Sequence, residues 1–247
     1  MIRRAVAVAL VVIGVAVTGA GLYGRFLLSD DEGHHDGRPP TFARSAVDGA
    51  DVLVVEPTSG GATARVERAG QVLVDYDQVH GGAFHTFAVG SDLDSYVHDV
   101  AAQPSPDGTY QVGPLAAGEH RVVVQAAPAG GPDLLELGTD VTIAEGEGSD
   151  VSIADGDTWS NGDLTIRRQG FDFVLSEPWT GEERYGGPAF LALFHADDLA
   201  FAHAHATMIG DDRFGFALDL PGRGRYLAAL ELVQDGEPLT ALFRFDV

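Results

Sequence analysis

The chain has no cysteine and no lysine among its 247 residues. Without cysteine there is no disulfide framework, no thiolate metal site of the zinc-finger or iron–sulfur kind, and no cysteine nucleophile. Without lysine every strong base is arginine, and 15 arginines face 37 aspartates and glutamates, for a net charge of −22. A polyanion of this strength repels phosphate backbones, and no arginine cluster marks a basic face, so no nucleic-acid partner is expected. Catalytic signatures are missing as well. There is no G-x-S-x-G elbow and no H-E-x-x-H pair. Gly130-Gly131 and Gly222-Arg223-Gly224 lack the following helix and lysine of a phosphate cradle and read as turns. The sequence therefore does not read as an enzyme. Trp159, Trp179 and the 13 phenylalanines are scattered over expected strands and read as core rather than as a sugar-binding face.

What is present is a chain with 45% hydrophobic residues, 32 glycines and 12 prolines, enough for a core of ordinary size in one or two domains. Charge is placed unevenly along it. Arg3 and Arg4 precede 19 uncharged residues, 5–23, rich in Val, Ala and Leu. At about 1.5 Å rise per residue such a helix spans the roughly 30 Å hydrocarbon layer. The run is longer than the apolar region of a cleaved leader, and Thr18-Gly19-Ala20-Gly21 matches an A-x-A site poorly, so residues 1–28 are expected to be a retained transmembrane anchor. All acidic residues follow, 37 against 12 arginines, a net −25. With two arginines on the short side, this predicts an N-inside orientation and an extracellular body on a single-pass membrane anchor. Residues 29–49 form a polar linker in which His34-His35 sits among Asp30, Asp31, Glu32 and Asp36 and reads as a solvated spacer.

From residue 50 onward the chain reads as short Val- and Phe-rich strands: 52–55, 64–68, 71–74, 85–89, 120–125, 164–167, 171–175, 189–194, 201–205, 214–218, 226–233 and 241–247. Ala69-Gly70, Asp107-Gly108, Asn161-Gly162 and Asp235-Gly236 supply turns between them. Spacing of about 8–12 residues, without a useful 3.6-residue period, predicts an all-β fold of antiparallel, Ig-like β-sandwiches. Residues 80–98 lie over residues 185–203 at a constant offset of 105, aligning His80-Gly81-Gly82 with Tyr185-Gly186-Gly187, Asp92 with Asp197, and His98 with His203. This internal repeat predicts tandem sandwich repeats, 50–150 and 151–247, joined near the Gly/Asp-rich stretch 145–162.

The chemistry left to the sequence is histidine. A turn centred on Ser91-Asp92 would set His85 opposite His98 on adjacent strands, with Cβ atoms about 4.5–5.5 Å apart. His203 and His205, two apart on one strand, face the same side. His195 ends the preceding strand, with Asp197 and Asp198 in the turn between. These five histidines are the candidate metal ligands. Imidazole with carboxylate and no thiolate suits copper, zinc or nickel as divalent ions.

A His-bearing strand, an Asp-Leu turn, an aromatic, a His or His-x-His, a DG turn and a closing strand resemble the duplicated His-rich secreted proteins of Gram-positive bacteria. Those are described as heavy-metal-domain-like and are similar to the small YtkA-like β-sandwich domain. The likeness spans residues 70–247 and rests on His85, Asp92-Leu93 and His98 in the first half, and on Asp198-Leu199 and His203-Ala204-His205 in the second. Val100-Ala101, Phe190 and Ala206 depart from the pattern. The resemblance implies a secreted sandwich fold that handles a metal ion. The sequence thus leaves two functions: an anchored extracytoplasmic metal-binding protein, or a non-catalytic cell-envelope interaction module that presents its sandwich to a protein partner.

The acidity carries a further expectation. A carboxylate-coated body without lysine stays hydrated in strong salt, where its self-repulsion is screened. A salt-loving, haloarchaeal-type source is predicted, with a melting temperature higher in about 2–3 M salt than in dilute salt, where screening is incomplete.

Overall fold

The computed structural model describes residues 45–130, 134–148, 151–184 and 186–247. The expected anchor, the linker up to residue 44 and the His34-His35 pair lie outside the described residues. Every regular element described is a β-strand.

The first ten are β1 (Val47–Asp48), β2 (Asp51–Thr58), β3 (Gly61–Arg68), β4 (Gln71–Val72), β5 (Tyr76–Asp77), β6 (Phe84–Gly90), β7 (Tyr96–Ala101), β8 (Tyr110–Val112), β9 (Gly118–Pro128) and β10 (Leu135–Ile143). They form two sheets, one ordered β1-β2-β3-β4 with β8 on β3, the other β10-β9-β6-β7 with β5 on β9. Between them lies a core that includes Leu53, Val66, Phe84, Val122, Val124 and Leu137.

The next ten are β11 (Ile153–Asp155), β12 (Thr158–Asn161), β13 (Leu164–Gln169), β14 (Asp172–Leu175), β15 (Ala189–His195), β16 (Phe201–His205), β17 (Thr207–Met208), β18 (Arg213–Gly215), β19 (Arg225–Gln234) and β20 (Glu237–Asp246). Their sheets run β11-β20-β19-β15-β16 and β12-β13-β14-β18-β17. A second core between them includes Trp159, Ile166, Phe173, Phe214, Tyr226 and Phe243.

Strand patterning explains how these four layers stack. In β3, Ala62, Ala64 and Val66 are buried while Thr63, Arg65 and Glu67 are not, the alternation of a sheet with one wet face. β13 repeats it with Leu164 and Ile166 against Thr165 and Arg167. In β6 and β15, by contrast, all seven residues are buried. Successive side chains point to opposite faces, so such a strand needs cover on both sides. On β6, Phe84 and Ala88 enter the first core, while Phe87 and Val89 enter a third cluster with Val123, Phe190, Phe194, Phe201, Leu227 and Leu242. That third cluster joins the β6/β9 sheet to the β15/β19 sheet. Each large side chain hidden there contributes about 1.5–3 kcal/mol.

Several sequence expectations need correction. β1 lies inside the segment read as linker, and β11 and β12 lie inside the stretch read as a junction. β11 pairs with β20 in parallel, whereas all the other ladders are antiparallel. The strand expected over 214–218 ends at Gly215. Leu135–Ile143 is a long strand that carried no strand signal, because Gly138 and Asp140 interrupt its apolar run. The Asp235-Gly236 turn falls where expected, with φ of 52° and 81°, values suited to a two-residue hairpin of the primed type.

Candidate metal centre

The faces that bring the two middle sheets together are not apolar throughout. Beside the phenylalanine cluster the same faces carry His85 on β6, His98 on β7, Gln125 on β9, His203 and His205 on β16, and Glu231 on β19. Glu136 of β10 and His80, just before β6, complete a polar group at this seam.

One part of it is a closed chain of hydrogen bonds. His85 Nε2 lies 2.8 Å from the Val79 carbonyl oxygen, His85 Nδ1 lies 3.2 Å from His98 Nε2, and His98 Nδ1 lies 2.8 Å from Glu231 Oε2. Tyr96 donates its hydroxyl to Glu231 Oε1 at 2.6 Å. The partners assign the protons. A carbonyl can only accept, so His85 Nε2 carries a hydrogen. Desolvation pushes the His85 imidazole down to about 4, the carbonyl of Val79 raising it and the neighbouring His98 and His203 lowering it, so the ring is neutral near pH 7 and its Nδ1 accepts. His98 Nε2 must then donate. His98 also meets the Glu231 carboxylate through Nδ1. It is 3% exposed in its side chain and Glu231 11%, and Phe87 stacks on the His98 ring at 4.2 Å.

The second part is a histidine triad. The ligand atoms offered by His80, His203 and His205 lie within 4.8 Å of one another. The His80 and His205 rings are 4.4 Å apart, and those of His203 and His205 are 5.5 Å apart. His203, 1% exposed in its side chain, has its Nδ1 3.1 Å from Glu136 Oε1, and the Gln125 amide touches both. Glu136 and Gln125 both hold the ring at Nδ1, so Nε2 is the nitrogen that would coordinate, with a carboxylate behind it as in many His-bound metals. Phe190 stacks on the His203 ring at 5.2 Å and limits its rotation.

Backbone geometry brings His80 there. It has φ of 49°, the left-handed region that costs a non-glycine residue on the order of 1–3 kcal/mol. Gly186 makes the room: at φ +89°, a Cβ there would lie 2.6 Å from His80 Nδ1 and 3.3 Å from His205 Cε1. In the first half Gly82, the counterpart of Gly187, lies against His85, and a Cβ on it would meet Val100 Cγ1 at 2.3 Å.

Of the five expected ligands, four meet at this seam. His85 and His98 are not directly opposite: the register pairs His98 with Phe87 and His85 with Val100, a shift of two residues that keeps both rings on one face. His203 and His205 share a face as expected. His195 stands apart, because its parity on β15 points it the other way: its ring lies 4.8 Å from Tyr226, Nδ1 is 2.8 Å from Asp198 Oδ1, and Nε2 is 3.4 Å from the Arg223 carbonyl. His80, Glu136, Gln125 and Glu231 were not singled out from sequence. His80 had a usable signal, since its His-Gly-Gly aligned with Tyr185-Gly186-Gly187.

Three imidazoles with one carboxylate behind them suit zinc, copper or nickel. In a tetrahedral site with bonds of about 2.0–2.1 Å the ligand atoms stand about 3.3–3.4 Å apart. The triad therefore has to draw in by roughly 1.5 Å at most, within reach of side-chain rotation at His80 and His205.

No family model matches the chain, and no curated protein does. Among solved structures, the FN1–FN3 domains of chicken CNTN1 align over 84% of this chain and 66% of theirs, with 11% identity and a TM-score of 0.23. The BSP domain of a biofilm associated protein aligns over 80% of this chain and 29% of its own, with 8% identity and a TM-score of 0.23. The chain spans less than two thirds of either structure.

Proposed function

We propose that this is a membrane-anchored, extracytoplasmic β-sandwich protein that binds a transition-metal ion, copper or zinc, on His80, His203 and His205, and that it binds the ion without a catalytic step. The observation that carries the reading is the triad itself, three imidazoles within 4.8 Å at a largely buried seam, one of them held by Glu136. Burial of so many ring nitrogens beside carboxylates is costly for packing alone. The anchor over residues 1–28 places the site outside the cell, where divalent ions are met directly.

The reading extends to organisation as two sandwich repeats, residues 50–150 and 151–247. In its favour, β6 and β15 begin 105 residues apart, as do β7 and β16. The isolated bridges Val79↔Gly82 and Arg184↔Gly187 keep the same offset, and Leu93 and Leu199 both have positive φ in the turns that follow. A single histidine-bearing hairpin used twice, packed face to face, brings both sets of rings to one seam.

The test is equilibrium dialysis of the full chain in detergent against Zn²⁺ and Cu²⁺, in strong salt to suppress loose binding by surface carboxylates. Saturable binding that loses the ion held by the triad in a His203→Ala/His205→Ala variant is expected. No saturable binding, or equal binding in the variant, overturns the reading and leaves the envelope interaction module.

A further inference from the structure

Resting on that reading, we infer that the seam holds a second metal ion between His85 and His98, so that the protein carries a dinuclear centre rather than a single ion.

The His85–His98 pair has the parts of a site. His85 Nδ1 and His98 Nε2 stand 3.2 Å apart. Two imidazole nitrogens bound to one ion at about 2.0–2.1 Å stand about 3.3–3.4 Å apart, so the pair is already at ligand spacing. The outer nitrogen of each ring is held. Val79 accepts from His85 Nε2 at 2.8 Å, and Glu231 accepts from His98 Nδ1 at 2.8 Å, so both rings are turned with their other nitrogens toward the shared point. An ion there replaces the one proton now lying between the two nitrogens and releases it, leaving both rings neutral and the hydrogen bonds to Val79 and Glu231 intact.

The two sites mirror each other across the seam. In the triad site, His203 of the second half is held by Glu136 of the first. In the pair site, His98 of the first half is held by Glu231 of the second. His98 and His203 are the residues aligned by the 105-residue offset. Each ion thus has one carboxylate behind it, which offsets the repulsion between two cations. His80 connects the sites, its ring 6.2 Å from His85 and 6.3 Å from His203. A cleft of about 180 Å³ lined by His98, Glu231 and Thr240, among others, lies beside His98.

Metal content and electron paramagnetic resonance of the Cu²⁺-loaded full chain test this, with His34→Ala and His35→Ala present in every sample to remove the linker histidines. The expected result is two ions per chain, with dipolar coupling between the two Cu²⁺ ions in the spectrum. His98→Gln and His85→Gln should each retain one ion and give an uncoupled spectrum. His203→Ala/His205→Ala should also retain one. Retention of the other ion shows in each case that the variant is folded. One ion per chain in the parent overturns the dinuclear inference and leaves the triad reading standing. No bound ion overturns both. Two ions that persist in His98→Gln, or two ions without coupling, place the second elsewhere and overturn the inference.

Discussion

Glu231 takes His98 and Tyr96 into one buried hydrogen-bonded group, and Glu231→Ala tests it by stability. The substitution removes the acceptor of two hydrogen bonds at once, from His98 Nδ1 at 2.8 Å and from the Tyr96 hydroxyl at 2.6 Å. It also leaves the His98 ring, 3% exposed and packed beside Phe87 and Phe190, without that acceptor. Leaving two buried donors without an acceptor costs about 1–3 kcal/mol each, about 2–6 kcal/mol together. For a body of this size each kcal/mol moves the melting temperature by about 2–4 °C, so a fall of about 4–24 °C is expected in calorimetry of the metal-free chain. Glu56→Ala is the comparison. Its carboxylate pairs with Arg65 but is 60% exposed, and such pairs contribute about 0–1 kcal/mol. Glu231→Gln keeps the volume and an acceptor for Tyr96 and should fall between the two. If Glu231→Ala melts within 2 °C of Glu56→Ala, by the same scale Glu231 is not the acceptor of two buried hydrogen bonds.

Two more outcomes follow from the same geometry. Burial holds His85 near 4 in the folded chain against about 6.5 unfolded, so between these values the unfolded state binds the extra proton and stability falls as pH falls. The span of about 2.5 units corresponds to about 3 kcal/mol, fully present above pH 6.5 and lost by pH 4; chemical denaturation at several pH values should show this slope reduced in His85→Gln, and an unchanged slope refutes it. Gly186→Ala should lower stability by about 1–3 kcal/mol and weaken metal binding, because its Cβ would displace His80. Gly170→Ala, at φ +69° with nothing within 4 Å, should carry the backbone cost alone, about 1–2 kcal/mol, with metal binding unchanged; equal binding in both variants would show that His80 is not a ligand.

The all-β fold was legible because the turns and strand spacings are local signals. Even the stacking of layers was written in the pattern, since Ala62-Thr63-Ala64-Arg65-Val66 alternates on an outer sheet while Phe84–Gly90 is apolar on both faces. What stayed hidden was the seam. Glu231 sits in a strand that reads as core, and Glu136 sits in one whose Gly138 and Asp140 erased the strand signal, so neither carboxylate could be matched to its histidine. Those contacts join residues 67 and 133 positions apart, a separation no local period encodes. His195 shows the opposite failure: proximity in sequence to His203 suggested a shared site, and one-residue parity on β15 sent its ring to the other face of the sheet. The missing lysine and cysteine narrowed the chemistry to imidazole and carboxylate, and the seam is where the two meet under burial.

The central claim, that this seam is a metal centre, is tested most directly by anomalous diffraction at the zinc edge from crystals of the chain grown with Zn²⁺. A peak about 2.0–2.1 Å from nitrogens of His80, His203 and His205 is the predicted result. Density confined to surface carboxylates, with the triad at the spacing seen here, would contradict it.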